Sequence, residues 1–255
     1  MKHTVVKVGT GVLTRDSDGQ LDGASLVRLV TGLADLVASG QPCILVSSGA
    51  VGAGISELGL DSYPNDVPSR QACAAVGQSR LMHIYQNLFG NFGLRVAQVL
   101  LTADDFRDDA RRARLSDTLT RLSQFPDVIP IINENDSVAV EELSVGDNDV
   151  LSARVANLVG ARLLVLLSNI DGLMPPESDQ IIEYVNDVES VLDYARAGKG
   201  RFSIGGMASK LKAVKYAVDS GIETVIANGR KPSHLLDISE GKGYCTRFAA
   251  RKPKA

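Results

Sequence analysis

Several acid, amide and lysine positions in this chain are of types that handle a charged group in transfer. The segment SVGDNDVLSARVANLVGA, residues 144–161, sets Asp147, Asn148 and Asp149 between a glycine and an apolar helical run. Capping explains one acid there, because Asp and Asn cap helices and acids suit the positive end of the helix dipole. On that reading Asp149 is the cap, but three consecutive polar residues ask for more. Lys7 interrupts the apolar stretch TVVKV, and a partly buried ammonium requires an anionic partner. Lys210 follows Gly205 and Gly206 in SIGGMASK and falls in the first turn of a helix, where a cation opposes the dipole. A solvated lysine is the ordinary explanation; a bound phosphate is the functional one. Glycine turns leading into helices, such as KVGTG with Gly9 and Gly11 and SSGAVGAG with Gly49, Gly52 and Gly54, offer backbone N–H groups to anions. Together these parts suit phosphoryl transfer. Its transition state spreads negative charge over the transferred oxygens, and catalysis is mostly positioning and electrostatic stabilisation. Two lysines can neutralise that charge, an aspartate can orient them, and magnesium can bridge the nucleotide phosphates.

The elements that would position these residues are readable from the hydrophobic pattern. Strand candidates are 4–8, 43–47, 95–100, 128–132, 163–168 and 223–227, mostly continuous apolar runs of the kind covered on both faces. Leu26, Val30, Leu33 and Val37 follow helical spacing, with Gly40 placed to end that helix. Met207, Leu211, Val214 and Val218 form the stripe of a second helix, ended by Gly221. In QACAAVGQSRLMHIYQNLF, the residues Ala72, Ala75, Val76, Leu81 and Ile84 are candidates for core burial or a subunit interface. Residues 138–146 alternate weakly, as a hairpin would, and 174–182 read as a surface loop. The alternation predicts an α/β fold, a three-layer α/β/α sandwich with a mostly parallel sheet. Ligands of such sheets bind beyond the carboxyl ends of the strands, and here four of those ends are rich in glycine or polar residues.

Composition removes other classes. A net charge of −3 gives no electrostatic case for nucleic acid or anionic membrane, and the tail RKPKA reads as a frayed end. No apolar run approaches the ~20 residues of a membrane helix, and MKHTVVKVGTG lacks a signal peptide's apolar core. Cys43, Cys73 and Cys245 share no short spacing and read as buried thiols in a reducing cytosol. His3, His83 and His234 are too scattered to suggest a metal site. There is no G-x-x-x-x-G-K-[ST], and Gly49, Gly52 and Gly54 do not make the dinucleotide fingerprint.

The segments VVKVGTGVLT, VSSGAVGAG, QACAAVGQSRLM, VIPIINENDSVA, VGDNDVLSA and GGMASKLKA, in this order, resemble the amino acid kinase family and, within it, the glutamate 5-kinases. The first and the glycine segments mark the broad family; INEND, VGDNDVLSA and AVGQSRLM are more specific. The resemblance implies ATP-dependent phosphorylation of the side-chain carboxylate of L-glutamate, giving L-glutamyl 5-phosphate in proline biosynthesis. It implies one domain over 1–255, with the amino-acid site in about 1–160 and the nucleotide site in about 161–250. Lys7 and Lys210 would stabilise the transferring group, with Asp149 organising them. Ser48, Gly49, Ala50, Asp136, Asp147 and Asn148 would bind substrate. Lys7, Gly9, Ser168, Asn169, Ile204, Gly205, Gly206, Met207, Ala208, Ser209 and Lys210 would bind ATP, with Mg2+ carried mainly by the nucleotide. Proline as feedback inhibitor, a homo-oligomer, a glutamyl phosphate reductase as partner and a cytoplasmic location follow from the same resemblance.

Three departures stand out. Asn169 occupies a place where the family usually has aspartate, and Ile204 replaces a small hydroxyl residue. The chain ends soon after the kinase segment, as expected of a short form without the additional C-terminal domain of many relatives. The competing readings are a kinase of acetylglutamate, aspartate, carbamate or UMP, or a silent regulator that binds without turnover. INEND and GDND argue against the first. Lys7, Asp149 and Lys210 together argue against the second. The substrate logic fits the residues: a carboxylate nucleophile is already ionised near neutral pH and needs no general base. Asp136, Asp147 and Asn148 supply partners for an α-ammonium.

Overall fold

The computed structural model describes residues 2–15, 17, 19–138, 148–176, 178–194, 206–231 and 234–251. The strands are β1 (Thr4–Val8), β2 (Cys43–Ser47), β3 (Arg95–Leu101), β4 (Val128–Glu134), β5 (Leu163–Ser168), β6 (Tyr184–Val185), β7 (Glu223–Asn228) and β8 (Thr246–Phe248). They form one sheet in the order β3-β4-β2-β1-β5-β7-β8-β6, parallel throughout except for the β7–β8 pair. The helices are α1 (Thr10–Leu13), α2 (Gly23–Ala38), α3 (Ala50–Glu57), α4 (Val67–Gly90), α5 (Asp104–Arg107), α6 (Asp109–Leu122), α7 (Asn148–Leu158), α8 (Met207–Asp219) and α9 (His234–Ser239).

Two apolar layers sandwich the sheet. One joins Val5, Ile44, Val46, Leu164 and Leu166 to Leu115 and Leu119 of α6, Leu151 and Val155 of α7, and Leu211 and Val214 of α8. The other joins Val6, Val8, Leu45, Val165 and Leu167 to Leu26, Leu33 and Leu36 of α2 and to Leu81, Tyr85 and Phe89 of α4. Alternate residues of each central strand therefore serve opposite layers, which is why these strands are apolar without interruption. The three-layer α/β/α expectation holds. Lys7 has the parity of Val5, so β1 aims it at the face covered by α7 and α8. Its Cα lies in register with Val46 on one side and Leu166 on the other.

Helix ends follow local chemistry. Asp22 caps α2, its Oδ1 accepting from the Ala24 N–H, and Asp66 caps α4 by accepting from the Ser69 N–H. Gly40 and Gly221, expected to end helices, adopt φ of 78° just past α2 and α8.

Some expectations need correction. Of the α4 candidates, Leu81 is buried and Ile84 packs against the core, whereas Ala72, Ala75 and Val76 are exposed; the buried face is Cys73, Ala74, Gly77, Gln78, Leu81, Tyr85 and Phe89. Small residues recur so often along this helix that spacing alone does not select the face. Asp149 is not the cap of α7. The helix already includes Asn148, and Asp149 lies in its first turn. The expected hairpin at 138–146 lies, apart from Val138, outside the described residues.

Candidate active site

A cavity of about 580 Å³ opens beyond the carboxyl ends of β1, β2, β4 and β5. It is the place an open parallel sheet reserves for ligands, because neighbouring connections diverge to opposite faces there. Its walls include Lys7, Gly9, Ser48, Gly49, Ala50, Asn133, Glu134, Asp136, Asn148, Ser168, Asn169 and Lys210.

The charged centre is a lysine–aspartate–lysine bridge. Asp149 is fully buried at the start of α7. Lys7 Nζ lies 2.6 Å from its Oδ1, and Lys210 Nζ lies 3.0 Å from its Oδ2. The lysines themselves are 5% and 8% exposed. Burying three charges is costly, and such a group is weak evidence for stability. Its use lies in holding two ammonium groups at fixed positions on the cavity wall.

The turn after β2 is a glycine turn leading into a helix, of the kind that can offer N–H groups to an anion. Gly49 has φ of 103°, a conformation that favours glycine, and it caps α3. The Ala53 N–H is the first to bond back, to the Gly49 carbonyl, so the N–H groups of the α3 first turn are not used inside the helix. Gly49, Ala50, Val51 and Gly52 all line the cavity. Behind this turn the Ser47 and Tyr85 hydroxyls share a hydrogen bond of 2.8 Å, which ties the end of β2 to α4. Burial pushes the Tyr85 hydroxyl well above its usual range, so it remains protonated.

Amides form the opposite wall. Asn148 Nδ2 donates to Ser48 Oγ at 2.8 Å and to Asn133 Oδ1 at 2.9 Å. Asp136 lies nearby, and burial pushes its carboxyl up to about 6. A second cleft of about 550 Å³, between α4 and the ends of β3 and β4, shares Ala50, Glu134 and Asp136 with the first.

Thus Lys7, Lys210 and Asp149 are in contact, and Ser48, Gly49, Ala50, Asp136, Asn148, Gly9, Ser168 and Asn169 share their cavity. Gly206, Met207, Ala208 and Ser209 open α8, where Gly206 accepts from the Ser209 and Lys210 N–H groups; of this stretch Lys210 reaches the cavity wall. Asp147, Ile204 and Gly205 lie outside the described residues. Sequence reading missed Asn133 and Glu134, although the polar run NENDS at the end of β4 had marked the place.

A family profile described as "Amino acid kinase family" matches residues 2–228. This chain is a member of the amino acid kinase family. Among curated relatives, the glutamate 5-kinase of Clostridium tetani is 43% identical over 258 residues, covering 99% of this chain and 96% of that protein. The glutamate 5-kinase of Geobacter sulfurreducens is 44% identical over 258 residues, covering 99% of this chain and 69% of the relative. Solved amino acid kinase structures share the fold. Giardia lamblia carbamate kinase bound to AMP-PNP superposes with a TM-score of 0.68 at 14% identity, covering 98% of this chain and 99% of that one. Ureaplasma parvum UMP kinase gives 0.65 at 14% identity, covering 97% and 98%.

Proposed function

We propose that this amino acid kinase is a glutamate 5-kinase. It transfers the γ-phosphoryl group of ATP to the side-chain carboxylate of L-glutamate, giving ADP and L-glutamyl 5-phosphate, as in proline biosynthesis. The observation that carries this reading is the Lys7–Asp149–Lys210 bridge facing an amide- and acid-lined wall across one cavity. A doubly anionic reaction needs cations at its centre, and an amino acid needs acceptors for its ammonium. Identity above 40% to glutamate 5-kinases along nearly the whole chain supports the same reading.

In the proposed mechanism Lys7 and Lys210 approach the transferring phosphoryl group from two sides. Asp149 fixes both, so no reorganisation is needed as charge spreads over the phosphoryl oxygens. The N–H groups at Gly49 and Ala50 hold the reacting carboxylate, which attacks without a general base because it is already ionised. Ser48, Asp136, Asp147 and Asn148 hold the amino-acid end. Gly9, Ser168, Asn169 and the segment 204–210 hold the nucleotide. Residues 1–160 thus carry mainly the amino-acid side and about 161–250 the nucleotide side of one domain. Among the described residues no group of three His, Cys, Asp or Glu side chains could hold a metal ion. Those residues make no metal cage, and the proposal leaves Mg2+ on the nucleotide phosphates, whose charge it offsets. The acyl phosphate product is short-lived in water, which suits a glutamyl phosphate reductase as consumer. Proline feedback, a homo-oligomer and a cytoplasmic location belong to the same proposal. Among the described residues no helix is long and apolar enough to cross a membrane.

The test is ATP-dependent ADP release with Mg2+, offering L-glutamate, acetylglutamate, aspartate, carbamate and UMP in parallel, with hydroxylamine to trap an acyl phosphate. Turnover with L-glutamate, giving a hydroxamate, is expected. Turnover restricted to another of these substrates overturns the proposal.

A further inference from the structure

The direction of every amide in the substrate wall can be worked out from one group that cannot flip. The backbone N–H of Glu134 can only donate, and it donates to Asn133 Oδ1 at 2.9 Å. That identifies the oxygen of the Asn133 carboxamide and leaves its nitrogen on the other side, where it donates to Gln78 Oε1 at 2.9 Å. Because Asn133 Oδ1 is an acceptor, the atom of Asn148 that meets it is the nitrogen, at 2.9 Å. The second hydrogen of that nitrogen goes to Ser48 Oγ at 2.8 Å. The carbonyl oxygen of Asn148 is therefore turned away from this network. It is buried with no hydrogen-bond partner among the described residues, on a residue that lines the cavity.

We propose that Gln78 is a positioning residue for the amino-acid substrate: through Asn133 it sets the amide polarity that presents the Asn148 carbonyl oxygen to the substrate's α-ammonium. This rests on the proposed kinase reading and adds to it a residue of α4 that touches no reacting atom. The local energetics favour the assignment. Gln78 is 8% exposed, and its Nε2 is buried with no hydrogen-bond partner among the described residues. An orphaned buried N–H destabilises a fold, whereas an apolar side chain of similar size would not. The unused Nε2 group gives no reason for an amide at this position. The acceptor it offers does, because the Asn133 nitrogen, itself on a residue only 2% exposed, has nowhere else in this geometry to donate. Without that acceptor the Asn133 carboxamide loses one of its two anchors, and Asn148 loses a fixed partner.

The experiment is a double-mutant cycle on the full chain with four proteins: wild type, Gln78→Met, Asn148→Ala and the double variant. Gln78→Met conserves volume and removes the acceptor. It is expected to raise KM for L-glutamate about tenfold, the worth of one well-placed hydrogen bond. The kcat and the KM for ATP should stay within about twofold. Its thermal midpoint should stay level or fall slightly, since the orphaned Gln78 donor is removed while the Asn133 nitrogen loses its acceptor. In the Asn148→Ala background the same change should add nothing, because the group it positions is gone. An unchanged KM for L-glutamate in Gln78→Met overturns the proposal. So does an equal rise in both backgrounds, which is what a merely structural role would give. Gln78→Glu keeps an acceptor and should return KM to within about threefold of wild type; a KM as high as that of Gln78→Met overturns the proposal even if the Met variant fails to fold. Wild-type turnover of L-glutamate is measured first. If another amino-acid substrate is turned over instead, the glutamate reading falls and the cycle is read on KM for that substrate.

Discussion

Consider the substitution Gly77→Ala. On the backbone of α4 an added Cβ at residue 77 would lie 1.8 Å from the Ala50 carbonyl oxygen and 2.3 Å from the Gly54 nitrogen. Ordinary carbon–oxygen contact is about 3.5 Å, the separation of atoms at their van der Waals optimum. The two helices must therefore part by roughly 1.5 Å, and both obstacles are backbone, so no rotamer change relieves them. Ala50 is the first residue of α3, directly behind the Gly49 turn that lines the cavity. A displacement of about 1 Å at a reacting group costs on the order of a hundredfold in rate, and overpacking of this kind costs about 1–3 kcal/mol of stability. The control is on the same helix. Gly90→Ala places its Cβ in open space, with nothing within 4 Å. It should leave kcat unchanged and gain up to about 1 kcal/mol from helix propensity. The assay is urea unfolding together with kcat and KM for both substrates. A Gly77→Ala enzyme with wild-type kcat and an unshifted urea midpoint would refute the argument, because the close approach of α3 to α4 could then not be what positions the turn.

Other outcomes follow from the same geometry. Asp149→Asn leaves two buried lysines without their shared carboxylate, and should cost about 3–5 kcal/mol in a urea melt and at least a hundredfold in kcat; retained activity would remove Asp149 from the mechanism. Gly9→Ala brings a methyl to 3.1 Å from Lys7 Nζ, and should lower kcat about tenfold with the melt unchanged; an unaltered kcat would show that the ammonium can yield without loss. Asp136, with its carboxyl pushed up to about 6 by burial, should give a kcat/KM for L-glutamate that falls as pH drops below about 6, a limb absent in Asp136→Asn. The stability effect has the opposite sense. The folded-state value lies above the unfolded one, so the folded chain holds the extra proton and loses stability as pH rises from about 4 to 6. At neutral pH Asp136→Asn should therefore be more stable, by no more than about 3 kcal/mol, and a less stable variant would contradict the assigned burial cost.

The readable and unreadable parts of this fold differ in physical origin. Strands 4–8, 43–47 and 163–168 match their observed limits because two-sided burial demands unbroken apolar runs. β6 and β8 escaped, since strands of two and three residues carry no periodicity and are held by pairing with distant partners. Lys7 and Lys210 were readable because each is a charge where its local element does not want one, and Asp149 because one cap does not explain three consecutive polar residues. Asn133 and Gln78 were not. A buried amide in sequence looks like any polar residue, and only the third dimension shows that Gln78, Asn133 and Asn148 are joined. Asp149 was read as a cap for a related reason. A cap and a first-turn acid differ by one residue, and the distant lysines decide between them.

The central place of β1 has a consequence for how the protein is made. Lys7 belongs to a strand whose two neighbours are β2 and β5; its carboxylate lies on α7, between those two strands in the chain, and its fellow cation comes later still, on α8. At ribosomal speeds of ~5–20 residues per second, Lys7 is made roughly 10–40 s before Lys210. Until β5 is made, which takes most of that interval, one side of β1 has no strand to pair with. Pairing across so long a stretch of chain is slow to form and comes late in folding. A nascent chain therefore carries Lys7 long before its partners, and on the proposed reading the phosphate site is assembled only after Lys210 has been made.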